Sequence, residues 1–105
     1  MQSMVQEQLW LIGSSQANLS AEQSIELKDI SQYDLILPYA PHRLRTLIEQ
    51  GFHKAKYELK ISAEVNDLAV QKQLVKEGFG YTILPLVSIK NDLGNNIFRA
   101  APINH

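Results

Sequence analysis

Arg43–Ala55 carries apolar side chains at Leu44, Leu47, Ile48, Phe52 and Ala55, in steps of three and four. No other feature constrains the fold of this chain as strongly. A helix gathers those residues on one face, and that face must be buried against a neighbouring layer. The flanking segments supply the layer. Asp34–Leu37 is a short apolar run stopped by Pro38, and residues 58–65 alternate Leu59, Ile61, Ala63 and Val65 against Lys60, Ser62 and Glu64. An alternation of two marks a strand with one face inward. Strand, helix and strand in that order form a βαβ unit, because parallel neighbours need a crossover of a dozen residues or more.

The pattern repeats along the chain. Residues 9–12 are a continuous apolar run ending at Gly13, residues 25–31 suggest a short helical turn, and residues 14–24 read as a polar loop. Residues 67–77 predict a second amphipathic helix with Leu68, Leu74 and Val75 inward, ended by Gly78 in a left-handed conformation. A strand over 81–84 closes at Pro85, a helical turn spans 87–92, and a last strand lies near 97–100. The fold class this implies is α/β, a three-layer sandwich with a mainly parallel sheet covered on both faces and right-handed crossovers. At 105 residues, the chain is one α/β unit over 1–105, without internal repeat or linker.

Composition excludes several functions. Ten Lys+Arg against eleven Asp+Glu leave a net charge of −1, without the cationic surplus that neutralising phosphates requires. No direct nucleic-acid contact by this chain is expected. The absence of cysteine removes disulfides, thiol nucleophiles and thiolate metal sites, and fits a reducing, cytoplasmic setting. No apolar stretch approaches the roughly 20 residues that span a bilayer, so no membrane contact is expected. The charge is nonetheless uneven. Residues 1–37 hold one Lys and five acids, residues 38–60 hold five Lys+Arg and two Glu, and residues 61–105 hold four of each. The first long helix and its entrance are therefore locally cationic.

Enzyme signals are weak: there is no G-x-S-x-G elbow, phosphate loop or dinucleotide fingerprint. Gly78-Phe79-Gly80 lies between helix and strand, whereas a phosphate loop runs from strand to helix. His42 and His53 stand eleven residues apart and His105 is terminal, so no pair has the spacing of helical metal ligands. No metal, cofactor or catalytic residue is expected.

Helix entrances are more informative, because open α/β sheets bind ligands beyond the carboxyl ends of their strands. Two entrances stand out. One is Pro38-Tyr39-Ala40-Pro41-His42-Arg43, whose backbone N–H groups with Arg43 and Arg45 suit an anion. The other is Glu64-Val65-Asn66-Asp67, where Asn66 is the expected N-cap. Under the plainer reading Asn66 only caps, Asp67 only complements the helix dipole and the arginines are solvated.

The ordered series Leu9-Trp10-Leu11-Ile12-Gly13, Ile25-Glu26-Leu27-Lys28-Asp29-Ile30, Leu35-Ile36-Leu37-Pro38 and Pro41-His42-Arg43-Leu44-Arg45 carries more than its parts. With Glu64-Val65-Asn66-Asp67-Leu68 and Gly78-Phe79-Gly80-Tyr81-Thr82-Ile83-Leu84-Pro85, it closely resembles the effector-binding region of LysR-type transcriptional regulators, in particular the nitrogen assimilation control branch. The resemblance runs from about Met4 to Ile103.

That resemblance implies a type II periplasmic-binding-protein-like subdomain, the second of two, over about residues 9–103. A small-molecule effector would bind in the cleft between the two, contacted from this half by Tyr39, Ala40, Pro41, His42, Arg43, Asn66 and Asp67. The family's DNA-binding domain and most of the first subdomain have no counterpart here; they would be partners elsewhere in the regulator, and a detached half would self-associate. The family pattern usually has glycine where Arg43 stands. The arginine either favours an acidic effector or only reaches solvent. A solute-binding protein fragment of the same fold and, further off, a small α/β enzyme are the alternatives.

Overall fold

A computed structural model describes residues 8–104; residues 1–7 and His105 lie outside the described residues. The chain forms β1 (Leu9–Ser14), β2 (Ile25–Glu26), α1 (Leu27–Ile30), β3 (Asp34–Leu37), α2 (Arg43–Ala55) and β4 (Lys60–Glu64), followed by α3 (Leu68–Lys76), β5 (Thr82–Pro85), a 3-10 turn (Leu86–Ser88), α4 (Lys90–Leu93) and β6 (Phe98–Asn104). β2, β6, β1 and β5 lie side by side in that order, and β3 pairs with β4. A parallel bridge between Leu35 and Tyr81 joins the two groups. The joint order is β4-β3-β5-β1-β6-β2.

Five of these strands share one direction, as expected of a mainly parallel sheet. β1 alone is reversed, pairing antiparallel with both β5 and β6. Consecutive residues Leu35, Ile36 and Leu37 are all fully buried, as are Leu11 and Ile12. Successive side chains on a strand point to opposite faces, so the sheet is covered on both. β4 instead buries alternate residues only in part, as an edge strand does.

α2 matches the expected helix and buries Leu44, Leu47, Ile48 and Phe52. Lys56 ends it with φ 65°, a left-handed cap without a glycine. β1 continues through Gly13 instead of ending there. A Cβ at that position would lie 2.6 Å from the Ala17 Cβ and 2.7 Å from the Tyr81 ring, so glycine permits a close approach and not a stop. The Tyr33 and Tyr81 rings pack at 4.3 Å beside it. Gly78 does take the left-handed conformation, φ 85°.

Three expectations need correcting. β2 is a short strand where only a helical turn was expected, because Ile25 and Glu26 find parallel partners in Ile103 and Asn104. β6 runs to Asn104 rather than stopping near Ala100. Pro102 sits opposite Trp10 of β1 while β2 joins only at Ile103, so on the β2 side its missing donor costs no ladder bond. In α3, Leu68 is 41% exposed, and the inward residues are Val75 and Gln71, the latter 3% exposed. A polar residue takes the apolar position because a buried polar partner waits there.

Candidate functional site

β3 leads through α2 to β4 on one side; the chain then returns through α3 to β5, on the other side of β3. With right-handed crossovers, the two helices lie on opposite faces. The carboxyl ends of β3 and β5 are therefore where chain directions diverge, the position at which open α/β sheets hold ligands. A cavity of about 270 Å³ occurs there, lined by Pro38, His42, Arg43 and Leu44 from the first entrance, Asn66, Leu68 and Gln71 from the second, and Leu84, Pro85 and Ser88 after β5. None of these ten lining residues is acidic.

The two entrances are tied to each other. The Asn66 Oδ1 accepts a hydrogen bond from the Tyr39 backbone N–H at 2.9 Å, across 27 residues of sequence. Since a backbone N–H only donates, it holds the Asn66 oxygen on Tyr39 and leaves the amide nitrogen as the donor on offer. The cap of α3 is instead Asp67, whose carboxylate accepts from the Val70 N–H at 3.1 Å. Asn66 as N-cap is thus corrected: the helix starts one residue later, and Asp67 has the three-residue reach to the N–H of Val70.

His42 caps α2, its Nδ1 accepting from the Leu44 N–H at 3.1 Å. A neutral imidazole that accepts at Nδ1 carries its proton on Nε2. The two helix entrances therefore differ electrostatically. α3 begins with a carboxylate that already complements its dipole, whereas α2 begins with a neutral cap followed by Arg43. An anion is favoured at α2 and disfavoured at α3.

The sequence groups Arg45 with Arg43 as an anion ligand, and the structure gives Arg45 a different role. Its guanidinium bonds Glu64 of β4, Glu49 one helical turn on, and the Pro38 carbonyl. The hydrogen bond to Glu64, together with the charges of both glutamates, raises the Arg45 pKa against the opposing effect of burial. Arg45 therefore buttresses the Pro38 turn instead of facing a ligand. Of the seven expected site residues, His42, Arg43 and Asn66 line the cavity, and Tyr39 is held beside it by Asn66 with its side chain 52% exposed. Ala40 and Pro41, joined by a cis peptide, are exposed in the turn, and Asp67 is the cap.

Gln71, Leu84, Pro85 and Ser88 were not foreseen. A glutamine at an apolar phase of a helix was the available signal for Gln71. Its Nε2 donates to the Thr82 hydroxyl at 2.7 Å, and that hydroxyl donates to the Ile36 carbonyl at 2.5 Å. β3 and β5 share one backbone bridge, at Leu35 and Tyr81; beyond it the strands part, and the Thr82 side chain takes over the Ile36 acceptor. Among the described residues there is no group of three His, Cys, Asp or Glu placed to hold a metal, and no helix is long and apolar enough to cross a membrane.

The arrangement, five parallel strands with one reversed and a cavity where the connections diverge, is that of a type II periplasmic-binding-protein-like α/β unit. The chain belongs to the LysR substrate binding domain family, whose family model matches residues 1–105. It is 29% identical over 98 residues to the HTH-type transcriptional regulator BbuR of Bordetella bronchiseptica, covering 91% of this chain and 30% of that protein. It is 25% identical over 84 residues to the nitrogen assimilation regulatory protein nac of Escherichia coli, covering 80% of this chain and 27% of that one. The effector binding domain of QuiR, solved in complex with shikimate, shares the fold with a TM-score of 0.77 at 24% identity, over 94% of this chain and 46% of that chain. The chain thus spans about a third or less of these curated relatives, which are regulators.

Proposed function

We propose that this chain is the second half, about residues 9–103, of the effector-sensing part of a LysR-type transcriptional regulator, and that the cavity beyond β3 and β5 is its share of the effector site. The observation that carries the reading is the Asn66–Tyr39 hydrogen bond, which makes one wall of two entrances far apart in sequence. That wall presents donors, the amide nitrogen of Asn66 and the Nε2–H of His42, beside the cationic Arg43, with no carboxylate among the lining residues. Its chemistry suits a small acid bound at the entrance of α2. Binding shifts the balance between arrangements of the regulator by as much as the ligand prefers one of them. The setting is cytoplasmic, and DNA is contacted by another part of the regulator.

Titrating shikimate and benzoate against the complete regulator tests the site. Arg43→Gly is expected to weaken these acids roughly 10-fold or more, the scale of a lost charge-assisted hydrogen bond. Unchanged affinity for every acid removes Arg43 from the reading, and no binding of any acid removes the site.

Leu68, Leu86 and Val87 rim the same end of the sheet, 41%, 37% and 73% exposed. In the regulator the first half covers this rim. The isolated 105-residue chain is expected to self-associate through it, with a sedimentation mass that rises with concentration. A concentration-independent monomer mass argues against that surface.

A further inference from the structure

We infer that Gln71 is a specificity-determining residue of this cavity, accepting a hydrogen bond from a hydroxyl group of the ligand, so that the preferred ligand is a hydroxylated acid. The inference deepens the proposed effector site and rests on it.

The Ile36 carbonyl carries no proton, so the Thr82 hydroxyl must spend its single hydrogen there. Toward Gln71 the Thr82 oxygen is then only an acceptor, and the Gln71 atom against it, at 2.7 Å, must be the amide nitrogen. The flipped amide would set two acceptors face to face. Thr82 is fully buried and Gln71 is 3% exposed, so water does not relieve that clash. The backbone of β3 therefore dictates, through Thr82, which way the Gln71 amide points. With the nitrogen held on Thr82, the oxygen is the amide atom left for the cavity that Gln71 lines.

The rest of the wall makes this oxygen distinctive. Asn66 has its own oxygen committed to Tyr39 and His42 has Nδ1 committed to Leu44, so each keeps a donor and not an acceptor for the cavity it lines. Pro38, Leu44, Leu68, Leu84 and Pro85 are apolar. Apart from the Ser88 hydroxyl, which both donates and accepts, Gln71 supplies the side-chain acceptor among the lining residues. A ligand that satisfies the whole wall needs an acidic end for the α2 entrance and a hydroxyl for Gln71. A site built to pair a ligand hydroxyl discriminates strongly against the analogue without it, because its own polar atom is left unpaired.

Two probe pairs test this in the complete regulator: shikimate against 1-cyclohexene-1-carboxylate, and 4-hydroxybenzoate against benzoate. The wild-type protein is expected to bind the hydroxylated member of at least one pair more than about 10-fold tighter. Gln71→Leu should reduce that preference to within about threefold, and Thr82→Ser, which keeps the hydroxyl that orients the amide, should retain it. Gln71→Met serves as the second variant if Gln71→Leu does not fold. No hydroxyl preference in the wild type, or one that survives both Gln71 variants, overturns the inference and leaves the effector site standing. Absence of binding by all four acids overturns the site and the inference with it.

Discussion

Phe52→Ala is expected to destabilise the domain by about 3–5 kcal/mol, the range for emptying a large aromatic position in a packed core. Phe52 is 1% exposed and belongs to the same core cluster as the fully buried Ile48 and Leu35. It also lies in the last turn of α2, where its carbonyl accepts from the Tyr57 N–H at 3.0 Å, so the cavity would open under the helix end that feeds β4. Domains of this size hold only about 5–15 kcal/mol in total. The Tm should therefore fall by more than about 12 °C. Phe52→Leu, which keeps most of the volume, should cost clearly less; equal losses for the two would mean that the position is not packed as described.

Thr82→Val should cost about 2–6 kcal/mol although it preserves shape. The change strips partners from two buried groups, the Ile36 carbonyl and the Gln71 amide, and each unpaired group costs roughly 1–3 kcal/mol. Thr82→Ser removes a methyl group instead, worth about 1 kcal/mol, and keeps both bonds. The order of damage is thus the reverse of what volume alone dictates. Adding Gln71→Leu to Thr82→Val should recover part of the loss, since a buried pair replaced by apolar groups on both sides is nearly neutral. Urea midpoints of the five proteins (wild type, Thr82→Val, Thr82→Ser, Gln71→Leu and the double variant) measure this. Strict additivity of the two substitutions would refute the hydrogen-bond account.

Much of the fold was legible because its signals are local. The α2 boundaries follow from the spacing of Leu44, Leu47, Ile48 and Phe52, and Gly78 follows the Glu77 cap of α3 in the left-handed conformation expected of it. The candidate site was legible only as two entrances. Tyr39, His42, Arg43 and Asn66 do cluster, but the sequence contains no sign that Asn66 would reach back 27 residues to Tyr39, nor that Arg45 would be taken up by Glu64 across the α2–β4 contact. His42 and Asp67 differ from Asn66 in this respect: each bonds within three residues of itself, and such caps belong to local chemistry.

By itself, then, the sequence determined the alternation of strands and helices, the direction of most of the sheet, the cationic entrance to α2 and the family. Those properties depend on periodicity, charge and motif order, which act over a few residues at a time. Only the tertiary structure decided that β1 runs against its neighbours, that Asp67 and not Asn66 caps α3, and that Gln71 is buried with its amide oriented by Thr82. Each of these depends on which backbone group lies across the sheet from which side chain. A hydrogen bond is directional and short, so its partners are settled when the layers close.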